Sequence, residues 1–279
     1  MNSMTLIADS GSTKTDWLIG STVVQTQGIN PIHQQDDSIL AVLLKELLPQ
    51  LSTLGSTPSA ITTIRFYGSG VRPDQEQRME RLLGSVFTAA TSVEARSDML
   101  GAARALCGTS EGMACILGTG ANSCLYDGRN IVANTPALGY ILGDEGSGAV
   151  LGRLFLNAVY KNKLYEGARE EFEQQTGLTM TDVIDRVYRQ PMANRWLASL
   201  SEYIHSRIGQ PSVEQLVIDN FKAFIRNNIN PYRRPDLPLN AVGSIAYHYR
   251  DQLRQAVQSE GYVLGRVLRN PIEGLRLTT

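Results

Sequence analysis

The sequence predicts an α/β protein made of two similar halves, and three observations carry that prediction. An apolar run ending in a carboxylate, Thr5-Leu6-Ile7-Ala8-Asp9, passes through the small residues Ser10-Gly11-Ser12-Thr13 into a second strand, Asp16-Trp17-Leu18-Ile19-Gly20. The same strand, small-residue turn and strand recur at Ala114-Cys115-Ile116-Leu117, Gly118-Thr119-Gly120-Ala121-Asn122-Ser123 and Cys124-Leu125-Tyr126. After each hairpin, short strand-like runs alternate with helix-length ones. The implied units are residues 1–111 and 112–279, the second with a helical insertion.

In the first half, Thr22-Val23-Val24-Gln25-Thr26 extends the hairpin to a three-strand meander that Gly28-Ile29-Asn30-Pro31 breaks. Asp36 to Leu48 carries enough apolar residues over a helix length to be a buried helix, ended before Pro49. Ile61 to Tyr67 returns to strand and ends in Gly68-Ser69-Gly70. Arg78 to Val86 reads as helix and Ser92-Val93-Glu94-Ala95 as a short strand. Asp98 stands just before a helix with Leu100, Ala103 and Leu106 on related faces.

The second half opens at Met113, repeats the hairpin and adds a strand at Ile131-Val132. Leu138-Gly139-Tyr140-Ile141-Leu142 reads as an apolar strand broken at glycine, followed by the adjacent carboxylates Asp144 and Glu145. Val150, Leu151, Leu154, Phe155 and Ala158 then recur at helical spacing. Leu164 to Asn228 reads as helices with short breaks, and Ser212-Val213-Glu214-Gln215 resembles a capping box ahead of the last. A strand from Leu239 meets a turn at Gly243, a helix covers Tyr249 to Gln258, and Gly261 to Leu268 is the last strand. The final segment, from Pro271, is expected to pack back on the first domain.

Composition narrows the function. The 279 residues carry a net charge of −1, and the 26 basic residues are scattered, so no stripe exists to follow a nucleic-acid backbone. Cys107, Cys115 and Cys124 are odd in number and lack metal-type spacing, which predicts reduced thiols in a cytoplasmic protein. No apolar stretch reaches membrane-spanning length and no export leader is evident. His33, His205 and His248 are widely separated and read as ordinary polar residues.

Small side chains in the first turn let backbone N–H groups and the Ser12, Thr13 and Thr15 hydroxyls approach an anion, while Asp9 can hold a hydrated divalent cation. The second turn can do the same from the other half, so the pair suits a polyphosphate. Neither the P-loop nor the dinucleotide fingerprint occurs. Asp144 or Glu145 can accept hydrogen bonds from a polyol, or either can cap the helix that follows. Asp98 has the same two readings, functional carboxylate or helix cap.

These residues resemble a known family. Asp9-Ser10-Gly11-Ser12-Thr13-Lys14-Thr15 is similar to the first phosphate motif of the sugar kinase, heat-shock ATPase and actin superfamily. Leu117-Gly118-Thr119-Gly120-Ala121-Asn122-Ser123 resembles its second phosphate motif, and Val242-Gly243-Ser244 its adenosine motif. Leu142-Gly143-Asp144-Glu145-Gly146-Ser147-Gly148 looks like the BadF/BadG-type ATPases and, more narrowly, the N-acetylglucosamine kinases. The resemblance implies two ribonuclease H-like, actin-like ATPase domains around a nucleotide cleft, with ATP and Mg²⁺ as cofactors. It further implies Asp9 as the metal residue, Asp98 as the catalytic base, and Gly11, Ser12, Thr13, Lys14, Thr119, Gly120, Gly243 and Ser244 at ATP. Asn30, Ser69, Asn122, Gly139 and Asp144 would meet an amino sugar, and the family is homodimeric.

Two departures bear on the acceptor. Ala137-Leu138-Gly139 stands where the N-acetylglucosamine kinases usually have Gly-Trp-Gly, and Ser10 where glycine is common. N-acetylmuramic acid, glucosamine and plain hexoses stay open as acceptors. An ATPase activator or a regulatory protein of the same fold is the rival reading, although the cysteine spacing offers no cluster-ligand set.

Overall fold

The computed structural model describes residues 4–11 and 13–278, so the expectation for Ser12 lies outside the described residues. Strands β1 (Met4–Ser10), β2 (Lys14–Ile19), β3 (Thr22–Gln27), β4 (Ile61–Gly68) and β5 (Ser92–Ser97) form one sheet in the order β3-β2-β1-β4-β5. Strands β6 (Gly112–Leu117), β7 (Ala121–Tyr126), β8 (Ile131–Ala133), β9 (Leu239–Val242) and β10 (Leu264–Leu268) form another, in the order β10-β9-β6-β7-β8. The two orders are the same read from opposite edges. In each sheet the hairpin and third strand are antiparallel and the two later strands are parallel. The duplication expected from the two hairpins is therefore an architectural one.

The chain divides into two compact units, Thr109–Arg269 and the residues on either side of it. In the first unit the period of two along β1 and β2 sorts Leu6, Ala8, Trp17 and Ile19 onto one face, where they join Ile64 and Phe66 in the core. The buried Trp17 indole N–H is satisfied by Thr26 Oγ1 at 2.9 Å. The opposite face carries Asp9 and Asp16 and is covered by helix Asp98–Cys107 and the short helix Pro271–Leu275. In the second unit helices Gly148–Tyr160, Ala193–His205 and Pro211–Phe224 enclose a core around Phe155, Phe221 and Phe224.

Three sequence expectations are corrected. The helix begun at Asp36 does not stop before Pro49 but runs to Thr53, because a π-turn over Leu43–Leu47 lets Leu48 N–H bond Leu43 O and re-phases the chain for the proline. Leu138–Leu142 is not a strand: Gly139–Leu142 is a single helical turn, with Leu138, Ile141 and Leu142 exposed and no neighbouring strand to pair. Ser212 makes no capping box, since the helix starts at Pro211 and Ser212 Oγ has no partner. The capping box is at Thr179–Asp182 instead.

Candidate active site

In the first unit, β1 delivers Asp9 directly opposite Asp16 on β2 and beside Tyr67 on β4. Burial, then the charges of Asp98 and Asp16, push the Asp9 carboxyl up to about 7, with Lys14 acting in the other direction. Asp98 is the first residue of its helix and not the cap. Ser97 caps it, its Oγ accepting from Leu100 N–H at 3.3 Å, and Asp98 Oδ1 accepts from Met99 N–H at 2.8 Å. Burial raises the Asp98 carboxyl above the ordinary range against that hydrogen bond. The helix is clamped over the sheet by Arg104, which donates to Tyr67 Oη at 2.8 Å and to both Glu94 oxygens at 3.0 and 3.1 Å. Tyr67, Glu94 and Arg104 escaped sequence reasoning because only the pairing of β4 with β5 and the packing of the helix on them bring the three together.

The first turn is built differently from the expectation. The Thr15 hydroxyl is fully buried, 2.7 Å from Ser10 Oγ and donating to Gln27 O, so it is not available to an anion. Ser10 Oγ in turn accepts from Ile29 N–H at 3.0 Å, which directs the side chain into the core and keeps the turn as open as glycine would. Gly11 and Thr13 are exposed, and Gly11 N–H donates to Lys14 O at 3.0 Å. Lys14 Nζ is 2.9 Å from Asp16. Asn30 and Ser69 come together near Ser10: Ser69 N–H donates to Ser10 O, and Asn30 Oδ1 lies so close to Gly70 that a Cβ there would collide with it. Arg78 holds the Asn30 loop by donating to Pro31 O at 2.6 Å and Gln34 O at 2.9 Å.

In the second unit, Thr119 and Gly120 sit in an open turn whose carbonyls receive the start of helix Gly148–Tyr160. Gly148 N–H donates to Gly118 O at 2.8 Å and Ala149 N–H to Thr119 O at 3.1 Å. Asp144, at φ +55°, accepts from Gly139 N–H at 3.1 Å and lies against Gly120. Burial raises its carboxyl, opposed by the Gly139 and Ala121 N–H groups. Thus Thr119, Gly120, Gly139 and Asp144 converge. Neither Asp144 nor Glu145 caps the helix. Ser147 does, accepting from Val150 N–H at 3.1 Å, and Glu145 accepts from Asn227 at 2.8 Å. Asn122 Oδ1 accepts from Asn134 at 3.0 Å, and Thr135 N–H and Ser123 Oγ both meet Tyr232 Oη. Asn134, Thr135 and Tyr232 have no spacing signal in the sequence.

Gly243, at φ +121°, follows β9 where a Cβ would strike the Leu117 carbonyl, so the adenosine-like turn packs directly on the second phosphate-like turn. Ser244 lines a cavity of about 390 Å³ with Glu202, His205, His248 and Tyr249. The two histidines, far apart in sequence, are neighbours here: His205 Nε2–H donates to the His248 carbonyl at 3.1 Å. A larger cavity of about 630 Å³ between helices Gly148–Tyr160 and Pro211–Phe224 includes Glu145 but none of Thr119, Gly120, Asn122 or Asp144.

The donor set fits a nucleotide with a hydrated Mg²⁺. Among the described residues no three His, Cys, Asp or Glu side chains form a metal-holding group. A cation at Asp9 would therefore draw most of its ligands from water and phosphate, as Mg²⁺ does. Cys115 and Cys124 are buried in β6 and β7, and Cys107 ends a helix. Among the described residues no helix is long and apolar enough to cross a membrane.

The chain is similar over its length to a candidate N-acetylglucosamine kinase from Porphyromonas gingivalis. Identity is 49%, 99% of this chain and 98% of that one are covered, and the TM-score is 0.92. A second candidate N-acetylglucosamine kinase, from Chromobacterium violaceum, covers 99% and 98% with 18% identity and a TM-score of 0.70. A ROK family glucokinase from Streptomyces griseus, solved with glucose and AMPPNP, covers 98% and 96% with 13% identity and a TM-score of 0.55. The last two likenesses are of fold alone. No protein-family model and no curated protein matches the sequence.

Proposed function

The chain belongs to the BadF/BadG-type ATPases, with the N-acetylglucosamine kinase-like proteins, and from that premise we propose that it is an ATP-dependent sugar kinase. The reading assigns transfer of the γ-phosphoryl group to the 6-hydroxyl of N-acetylglucosamine or a related amino sugar. The observation that carries it is the pair of desolvated carboxylates, Asp9 and Asp98, at the ends of adjacent elements beside a small-residue turn.

In this mechanism Asp98 accepts the proton of the attacking sugar hydroxyl. A positioned base of this kind contributes roughly 10²–10⁴-fold, and a carboxyl raised by burial is better matched to neutral pH than an ordinary one. Gly11, Thr13, Thr119 and Gly120 leave room for phosphate oxygens to meet backbone N–H groups. Lys14 supplies a positive charge at the first turn, and Ser244 with its cavity receives the nucleoside. Asn30, Ser69, Asn122, Gly139 and Asp144 are the acceptor side, where carboxylate and amide groups select hydroxyls. Mg²⁺ held through Asp9, when bound, neutralises charge on the transferring group. The acting form is proposed to be a cytoplasmic homodimer.

The test is ADP release with Mg·ATP across amino sugars and plain hexoses, beside Asp98→Asn. Release stimulated by N-acetylglucosamine and lowered at least about 10²-fold in the variant supports both activity and base. If ATP binds but no sugar stimulates release, the kinase reading fails and the activator reading moves ahead.

A further inference from the structure

Asp16 has no part in the mechanism above, yet its side chain is buried and held on two sides. Its side chain is 7% exposed and stands opposite Asp9 on the same face of the sheet. Directly opposed like charges destabilise an antiparallel pair. Asp16 is held from two sides, by Gln25 Nε2 at 2.7 Å and by Lys14 Nζ at 2.9 Å. Gln25 is its register partner on β3, and Lys14, two residues back on β2, shares its face. The Lys14 backbone also closes the first turn, through its carbonyl and Gly11 N–H. Its side chain is half exposed and borders a cavity of about 370 Å³.

We propose that Asp16 is a positioning residue that acts through Lys14, holding its ammonium beside the turn for a phosphate oxygen of the nucleotide. The inference rests on the nucleotide reading of that turn. A free lysine spreads over many rotamers and loses that freedom when it grips a phosphate. Anchored on a buried carboxylate that Gln25 fixes, Lys14 has given up most of that freedom before the ligand arrives. When the ammonium swings from Asp16 to the ligand, Gln25 continues to satisfy the carboxylate. Asp16 touches no reacting atom in this scheme.

The measurement is calorimetric binding of Mg·AMPPNP, without sugar, to the wild type, Asp16→Asn, Lys14→Met and the double variant. Each single change should weaken binding about tenfold, and the double should be no weaker than Lys14→Met alone. Lys14→Arg should recover most of the affinity, and thermal midpoints verify that each variant is folded. Should Asp16→Asn not fold, Lys14→Met carries the test from an exposed side chain. Wild-type affinity in either single variant, or losses that add in the double, overturns the proposal. A wild-type protein that binds no nucleotide overturns the underlying reading as well, and is told apart by that result.

Discussion

The two glycine turns occupy the same place in two sheets of the same strand order, yet they are held by different means. The first, between β1 and β2, rests on side chains: Ser10 and Thr15 hydroxyls buried together, Lys14 on Asp16, and Asp9 and Asp98 desolvated beside it. The second, between β6 and β7, rests on backbone: Gly118 and Thr119 carbonyls receive the first N–H groups of a helix, and Gly243 packs on Leu117. A duplicated frame thus carries two turns held in two ways. The first turn is fixed by buried hydroxyls and an ion pair, whereas the second is fixed by backbone hydrogen bonds, with Asp144 lying against Gly120.

Substituting Gly243, which packs against the second turn, and Gly11, in the first, sharpens that contrast most. Gly243→Ala forces a Cβ into the Leu117 carbonyl at φ +121° and should destabilise by about 1–3 kcal/mol or more, lowering the thermal midpoint by several degrees. Gly11→Ala meets only Lys14 O, at 3.8 Å, and should melt near wild type while binding Mg·AMPPNP more weakly. Equal melting of the two variants would break the comparison.

The ionisable side has its own signature. Burial pushes the Asp9 carboxyl up to about 7, well above the ordinary carboxylate range, so between that range and 7 the folded protein binds more protons than the unfolded chain. Stability without metal should then fall as pH rises from about 4 to 7 and stay lowered above that. Asp9→Asn should remove part of this slope and raise the midpoint at pH 8, read by thermal melts in chelator from pH 5 to 8. A flat wild-type profile would contradict the desolvated carboxylate.

The smallest effect is expected at the caps, where both halves use the same device. Ser97→Ala and Ser147→Ala should each cost about 1 kcal/mol, measured by denaturant titration. Because Ser97 sets the first turn that carries Asp98, only Ser97→Ala should also slow sugar-dependent ADP release.

Strand period, turn glycines and the repeated hairpin are local patterns, so the α/β class, the duplication and the candidate turns were legible in the chain itself. So was the identity of Asp9, Asp98 and Asp144 as carboxylates at element ends. What local pattern could not decide was which neighbour each polar group would find. Thr15 turned inward because Ser10 and Gln27 met it there, and Ser97 and Ser147, rather than Asp98, Asp144 or Glu145, took the cap positions. His205 met His248 across 43 residues, and Lys14 settled on Asp16 beside Asp9. Those pairings depend on strand register and helix packing, which bring together groups distant in sequence and bury some of them. The chain specified the elements and their repeat. Tertiary structure decided which carboxylates are desolvated and which hydroxyls remain available, because desolvation and hydrogen-bond partners exist only once the sheet and its covering helices are assembled.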